Sequence, residues 1–277
     1  GGAGIYIGLS ASLFNAQSSI ISIVGGDFEK ENLEMLNSKG INTGSIEIVP
    51  KGKTFYWKGK YHKDWNKRDT LSTQLNVLAD FNPIVKDENI NAEIIVLGNL
   101  HPLVQNTVLD QVENNKKCVI LDTMNFWMDN ALDELMKVIG RVDIIIINDE
   151  EALQLSGKNT LFAAAKEILS FGPSQIVIKK GEHGAMLFED GEFFTVPAFP
   201  VEKVKDPTGA GDSFAGGFAG YLSQIDEIDF EGMKLAVVNG TVMASFCVEG
   251  FGTAVMKNLD KETVDNRLKE FKKYTRY

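Results

Sequence analysis

The sequence contains few cysteines and no long uninterrupted apolar run. Two cysteines, Cys118 and Cys247, are too few for a disulfide framework in a chain of 277 residues. Both lie in apolar surroundings, so we expect buried, reduced thiols and a cytoplasmic protein. No apolar stretch reaches the length of a membrane-spanning helix, and no signal peptide is visible. These absences exclude a disulfide-stapled secreted domain and predict no membrane partner.

Basic residues are also scarce relative to acidic ones. The chain has 28 lysines and arginines against 38 aspartates and glutamates, which gives a net charge of −10. A surface of this sign repels nucleic acid and anionic membranes, so we expect neither as a partner. Any anionic ligand must therefore be held locally, by backbone amides, a few lysines and a metal ion.

Several signatures of known chemistries are missing. The sequence has no G-x-x-x-x-G-K-[ST] loop, no H-R-D and D-F-G pair, and no G-x-S-x-G elbow. This excludes P-loop kinases, protein kinases and hydrolases of the elbow type. The three histidines, His62, His101 and His183, are scattered and lack the spacing of metal ligands.

Strand and helix patterns alternate from residue 92 onward. Four apolar runs, at 94–97, 119–121, 144–147 and 176–178, each end in polar residues and are separated by helical patterns. Continuous apolar runs of this kind indicate parallel strands covered on both faces. A hairpin around Asp190 and Gly191 follows, and then three helices at about 210–223, 230–248 and 261–274. We predict one α/β domain over 1–277, with a doubly wound, mainly parallel sheet and helices on both faces.

The N-terminal segment permits two interpretations. A helix rich in small residues is predicted over 2–15 and a strand over 18–24. Since no strand precedes this helix, we expect about one strand-and-turn unit to be missing upstream. Gly2, Gly4 and Gly8 partly match a dinucleotide-binding fingerprint, and Asp27 follows the strand as a ribose-binding acid would. A Rossmann oxidoreductase is therefore one alternative, although the strand that should precede the glycines is absent from the sequence.

The stretch D-P-T-G-A-G-D-S-F, residues 206–214, carries the most specific chemistry. Gly209 and Gly211 allow a tight turn and a close approach to a ligand. The free amides of the helix that begins there form an anion site. Asp212 places a carboxylate in that site, which is reasonable if it takes a proton from a hydroxyl that attacks a phosphoryl group. The alternative is an ordinary acidic residue in the first turn of a helix.

The full string D-P-T-G-A-G-D-S-F-x-G-G-F resembles the C-terminal signature of the ribokinase-like, or PfkB, carbohydrate kinase family. The resemblance extends more weakly over nearly the whole chain. It implies a ribokinase-like fold, an anion hole made by Gly209, Ala210, Gly211 and Asp212, and Asp212 as the catalytic base. It also implies ATP and Mg²⁺ as cofactors.

The resemblance extends to further segments, each of which also has a purely structural explanation. Asn148 and Glu151 match an Asn-x-x-Glu motif that orients Mg²⁺, and they also form the pattern of a helix capping box. The Lys180 segment matches a nucleotide loop, although most lysines are simply solvated. Asp206 matches a site for a monovalent cation such as K⁺, or is a turn residue before proline. The expected nucleotide-binding residues are Lys180, Gly181, Gly184, Thr208, Asn239 and Gly252; the expected metal residues are Asn148, Glu151 and Asp206.

The sequence says less about the pocket for the acceptor, the molecule whose hydroxyl would receive the phosphoryl group. The resemblance places a Gly-Gly segment there, at Gly1 and Gly2, but Tyr6 stands where the family usually has an asparagine. Polar residues at strand ends are further candidates, because open α/β sheets bind ligands at that edge. The expected substrate residues are Gly1, Gly2, Tyr6, Asn99 and Asn125.

An insertion interrupts the strand–helix alternation at about 43–69. Residues 43–61 alternate and are rich in β-branched and aromatic side chains, which predicts a short antiparallel sheet. A polar loop with Asp64, Asn66, Arg68 and Asp69 is expected after it. The resemblance implies a lid over the substrate here, although Trp57 and Tyr61 are equally expected as ordinary sheet aromatics. Its exposed strands also suggest a homodimer through the lid sheet.

These observations favour an ATP-dependent kinase that phosphorylates a hydroxyl of a sugar or related small molecule. A nucleoside kinase of the same fold is the first alternative. A non-catalytic ligand-binding homologue and a dinucleotide-dependent oxidoreductase are the others.

Overall fold

The computed structural model describes residues 2–63, 65, 68–112 and 116–276. The helices are α1 Ala3–Ser12, α2 Lys30–Ser38, α3 Asp87–Ile90, α4 Pro102–Leu109, α5 Asn125–Asn130, α6 Leu132–Ile139, α7 Asp149–Ser156, α8 Leu161–Leu169, α9 Ala210–Leu222, α10 Phe230–Cys247 and α11 Lys261–Tyr274. The strands are β1 Ser18–Ser19, β2 Ser22–Gly25, β3 Ile41–Asn42, β4 Ile46–Val49, β5 Tyr56–Tyr61, β6 Arg68–Gln74, β7 Ile94–Leu97, β8 Cys118–Asp122, β9 Ile144–Asn148, β10 Gln175–Lys179, β11 Ala185–Glu189 and β12 Glu192–Val196.

The main sheet has six strands in the order β12-β11-β10-β9-β8-β7. Strands β7 to β10 are parallel, and the hairpin β11–β12 adds two antiparallel strands at one edge. The four predicted apolar runs are the four parallel strands, and the predicted hairpin is present. The carboxyl ends of β8, β9 and β10 therefore meet at one edge, which is where an open α/β sheet binds ligands.

Alternate side chains of the central strands face two separate cores. Ile144 and Ile146 pack in one core with helices α1, α9, α10 and α11, while Ile145 and Ile147 pack in the other with α5 to α8. All four isoleucines are fully buried. The expectation of a mainly parallel sheet with helices on both faces is confirmed, and so is the burial of Cys118 and Cys247 as free thiols.

The segments before β7 form three two-stranded sheets rather than one antiparallel sheet. Strand β1 pairs with β3 and β2 with β4, both in parallel, and only β5 and β6 are antiparallel. The first two pairings are parallel because a crossover that contains α2 joins their strands. The predicted strand 18–24 is also broken into two. Small sheets of this kind are consistent with a lid.

The antiparallel hairpin extends beyond the predicted limit at residue 69. Arg68 and Asp69 begin strand β6, where a polar loop was expected, because Thr70, Leu71 and Thr73 continue a β-forming segment that pairs with β5. Asp64 and Asn66 lie outside the described residues. Within the described ranges, no helix is both long enough and apolar enough to cross a membrane.

Candidate active site

Residues 206–212, called the anion loop below, lead into the first turn of α9 beside the carboxyl ends of the central strands. Gly209 is the residue before the helix and has a φ of 84°, in the left-handed region that glycine tolerates best. The amide of Ala210 donates to the carbonyl of Pro207 (3.1 Å), and the amide of Ser213 to that of Gly209 (2.8 Å). The amides of Gly211 and Asp212 are therefore the first-turn donors best placed to receive an anion.

Asp212 lies in the first turn of α9, and its carboxyl group is in an unusual electrostatic environment. Burial raises its pKa above the ordinary value for aspartate, and the negative charge of Asp122 raises it further. The ammonium group of Lys179 acts in the opposite direction. A carboxylate with a raised pKa is a better proton acceptor near neutral pH than an exposed aspartate. These observations make Asp212 a candidate general base.

Lys179 and Asp122 form an ion pair that the sequence patterns did not single out. Lys179 ends β10 and Asp122 ends β8, and Nζ lies 3.3 Å from Oδ1. Burial lowers the pKa of Lys179, but Asp122, Glu151 and Asp212 outweigh this effect and raise it. Since both residues end apolar strands, the strand-end rule that selected Asn99 and Asn125 applies equally to them.

Asn148 and Glu151 form the predicted capping box at the start of α7. The amide of Glu151 donates to Asn148 Oδ1, and the amide of Asn148 donates to Glu151 Oε2, both at 2.8 Å. Their oxygen atoms are of the type that Mg²⁺ prefers. Within the described ranges, no group of three His, Cys, Asp or Glu side chains could hold a metal ion. Two oxygen-bearing side chains suit a Mg²⁺ ion that keeps most of its water ligands.

The variant Glu151→Gln should distinguish the role of Glu151 in helix capping from its expected role at Mg²⁺. Glutamine can still accept the amide of Asn148, so we expect the melting temperature to change little. The lost charge should raise the Mg²⁺ concentration required for half-maximal activity by about tenfold. The matched control is Asp229→Asn, which makes the same change at the cap of α10, where Asp229 accepts the amide of Gly232. A lower melting temperature with an unchanged Mg²⁺ requirement would leave capping as the whole role of Glu151.

The Lys180 segment is a tight turn between β10 and β11. The amide of Lys180 donates to the carbonyl of Gly184 (2.7 Å). Gly184 has a φ of 86°, and a Cβ there would stand 2.0 Å from the carbonyl oxygen of Val196. Glycine is thus required by the turn itself. Lys180, Gly181 and Gly184 line the same cleft as Asp212, so the segment could also contact a nucleotide there.

Asp206 joins the anion loop to the segment after α10. Its carboxylate accepts the amide of Thr208 (3.0 Å) and the amide of Gly252 (3.2 Å). These bonds give Asp206 and Gly252 a structural role, and a monovalent cation would have to share the same two oxygens.

Asn239, which the resemblance placed beside the nucleotide, is buried in the structure. Its side-chain amide donates to the carbonyl of Leu235, and its backbone lies against Gly217 of α9.

Tyr6 forms part of the wall around the anion loop. Its ring is packed so closely on Gly209 that a Cβ there would stand 2.5 Å from it. Burial raises the pKa of its hydroxyl, and the nearby acidic groups add to this effect. Gly2 immediately precedes α1 and also lines the cleft. Gly1 lies outside the described residues.

Two asparagines at strand ends line the cleft and already have partners. Asn99 Oδ1 accepts from Trp127 Nε1 (2.8 Å), and Asn125 Nδ2 donates to Gln154 Oε1 (2.5 Å). Both therefore have fixed orientations.

The oxidoreductase interpretation placed Asp27 on a ribose. In the structure the Asp27 carboxylate instead accepts hydrogen bonds from the amide and the hydroxyl of Thr54.

The hairpin β5–β6 contacts the anion loop directly. Tyr61, at the end of β5, has its hydroxyl 3.2 Å from that of Thr208. Trp57, Tyr61 and Trp65 line the cleft, and the rings of Tyr61 and Trp65 lie 6.2 Å apart between centroids. The end of the hairpin therefore lies beside the anion loop, and the hairpin is the candidate for the predicted lid.

The lid should be less stable against local opening than the main sheet, because β5 and β6 pair only with each other among the described strands. We expect hydrogen exchange of the hairpin strands, Tyr56–Tyr61 and Arg68–Gln74, to slow when nucleotide and acceptor are both bound. Strand β9, buried in the sheet centre, is the internal control and should exchange slowly throughout. Unchanged exchange of the hairpin on binding would show that it is not a lid.

Comparison with known proteins agrees with this geometry. The pattern of the pfkB family carbohydrate kinases matches residues 1–265. The cytidine kinase of Thermococcus kodakarensis is 31% identical over 228 residues, which cover 80% of each chain. The deoxyribokinase of Salmonella typhi is 30% identical over 268 residues, covering 91% of this chain and 82% of the relative.

Solved structures share the fold. The nucleoside kinase of Methanocaldococcus jannaschii superposes with a TM-score of 0.78 at 22% identity, over 98% of this chain and 86% of that one. A putative ribokinase II from E. coli, in complex with ATP and Mg²⁺, superposes with a TM-score of 0.80 at 21% identity, over 97% and 88%. The chain has the ribokinase-like fold and belongs to the pfkB family of carbohydrate kinases.

Proposed function

We propose that this protein transfers the γ-phosphoryl group of ATP to a hydroxyl of a nucleoside. The observation that carries the proposal is the carboxylate of Asp212 beside the first-turn amides of α9. Asp212 accepts the proton of the attacking hydroxyl, and the amides of Gly211 and Asp212 stabilise the charge on the transferred group. Asn148 and Glu151 would orient a Mg²⁺ ion, which when bound would neutralise part of the phosphate charge.

The lid aromatics support a nucleoside over a free sugar. Trp57, Tyr61 and Trp65 line the cleft, and Tyr61 contacts the anion loop through Thr208. An aromatic ring that stacks on a nucleobase contributes about 1–3 kcal/mol, which a free pentose does not gain. The 31% identical cytidine kinase is consistent with this preference.

A free sugar is the second candidate, because the deoxyribokinase of Salmonella typhi is similar over 91% of this chain. For a pentose, Asn99 and Asn125 at the strand ends are candidate hydrogen-bonding groups.

A homodimer through the lid stays a prediction. Tyr56 and Leu71 of the hairpin are exposed side chains that a second copy would cover.

The test is ADP release from MgATP with a panel of acceptors. The panel contains cytidine, uridine, adenosine, ribose and 2-deoxyribose at equal concentrations. We expect a nucleoside to exceed both pentoses in kcat/KM by about tenfold or more, the range that one stacked base contributes. Faster turnover of a pentose would favour the second candidate. ATP binding without turnover of any acceptor would favour a non-catalytic homologue.

A further inference from the structure

Lys179 reaches the anion loop from the central sheet. It is the last residue of β10, in register with Asn148 of β9, and its side chain is 18% exposed. Its Nζ lies 3.0 Å from the place that a Cβ would take on Gly211. The ammonium group is therefore against the backbone of Gly211, one of the two residues whose amides are the candidate anion donors.

The ion pair between Lys179 and Asp122 is longer than usual. The distance of 3.3 Å to Asp122 Oδ1 exceeds the 2.7–2.9 Å that is typical of a hydrogen bond between an ammonium and a carboxylate. The Asp122 side chain is 9% exposed, so a better-placed anion in the cleft would compete with it in a largely dry environment. The negative charges of Glu151 and Asp212 also act on Lys179 and help to raise its pKa.

We propose that Lys179 exchanges Asp122 for the transferred phosphoryl group when ATP binds. Asp122 positions the ammonium beside the loop before binding, and Lys179 then neutralises charge on the γ-phosphoryl group as the acceptor attacks. The inference rests on the proposed function, since it assigns a residue to that reaction. It makes Lys179 a catalytic residue and Asp122 a positioning residue.

A purely structural ion pair would behave differently. In that case the pair would stabilise the ends of β8 and β10, and loss of Lys179 would affect every ligand alike. A contact with the γ-phosphoryl group instead distinguishes ATP from ADP, which lacks that group. The difference between ATP and ADP affinity is therefore the informative readout.

The experiment compares Lys179→Met with the native protein by calorimetric titration of ATP and ADP in the presence of Mg²⁺. ATP affinity should fall by about 10- to 100-fold, the change that corresponds to a lost charge-assisted hydrogen bond. ADP affinity should fall by less than about threefold, a change well below that of such a bond. The matched control is Lys158→Met, which breaks the surface ion pair with Glu167 and should change neither affinity. Equal losses for ATP and ADP, or no loss for either, would overturn the proposal.

Asp122→Asn gives a second test that does not depend on Lys179→Met folding. It frees Lys179 from its partner, so ATP should bind as tightly as in the native protein or more tightly. Weaker ATP binding would show that the pair acts as a structural unit and would overturn the exchange. If the native protein itself bound no ATP, the proposed function would fail as well; an ATP-binding native protein with no ATP-specific loss in Lys179→Met would overturn this inference alone.

Discussion

Asp212→Asn is expected to lower kcat by about 10²- to 10⁴-fold, the usual contribution of a general base. Asparagine has nearly the same size and keeps some hydrogen bonding, but it cannot accept the proton of the attacking hydroxyl. ATP affinity should hold or rise, because the substitution removes a negative charge beside the γ-phosphoryl group. Initial rates and ATP titrations on the same preparation measure both quantities. Near-native turnover of the true acceptor would exclude Asp212 as the base.

The stability of the same variant shows whether the rate loss comes from chemistry or from unfolding. Burial and Asp122 raise the pKa of Asp212, while Lys179 partly offsets them, so the native state binds this proton more tightly than the unfolded chain does. The stability of the native protein should therefore fall as pH rises from about 4 toward the raised pKa. Asp212→Asn lacks this titration, so the melting temperature of the variant relative to the native protein should rise between about pH 4 and pH 7 and level off above that range.

Gly216→Ala is expected to destabilise the protein by about 2–4 kcal/mol, although alanine is the better helix former. Gly216 lies in α9 where the helix crosses α1. A Cβ there would stand 2.3 Å from the carbonyl oxygen of Ile7 and 2.8 Å from its Cα. These are backbone atoms, which no side-chain rotation can move away, so the two helices would have to separate. Because Tyr6 precedes Ile7, the wall of the anion loop would move with α1.

Thermal melts of Gly216→Ala and Gly8→Ala measure this effect against a matched control. Gly8 is in the interior of α1, and the atoms nearest to a Cβ there would be side-chain methyl groups of Ile20 and Ile41, at 3.3 Å or more. Those side chains can yield by a few tenths of an ångström, so Gly8→Ala should be close to neutral. We expect Gly216→Ala to melt roughly 4–16 °C lower than the native protein. Equal melting temperatures for the two variants would mean that the α1–α9 contact is looser than the distances indicate.

Local patterns in the sequence predicted the parts of the site that lie within one segment. The anion loop and Asp212 follow from a continuous string, and the Asn148–Glu151 capping box follows from a spacing of three residues. The four parallel strands were predictable because each is a short apolar run flanked by helical patterns. In these cases the physical cause and the sequence signal are contained in the same few residues.

The remaining features depend on which segments become neighbours. Lys179 and Asp122 are 57 residues apart in the chain and meet only because the sheet order places β8 and β10 on either side of β9. The parallel partner of β4 could not be read from its alternation, because alternation indicates a strand without saying what it pairs with. Asn239 is buried against α9, since the packing of α10 and not its sequence decides which face is covered.

The central claim is that the γ-phosphoryl group passes to a hydroxyl of the acceptor with Asp212 as the base. Phosphorus NMR of the reaction with MgATP and the best acceptor tests it most directly, because it resolves ADP, inorganic phosphate and the phosphomonoester product. For the native protein we predict that the phosphomonoester appears at the same rate as ADP, and for Asp212→Asn that its formation is slower by about 10²-fold or more. Formation of inorganic phosphate in place of the phosphomonoester, or an unchanged rate in the variant, would contradict the account.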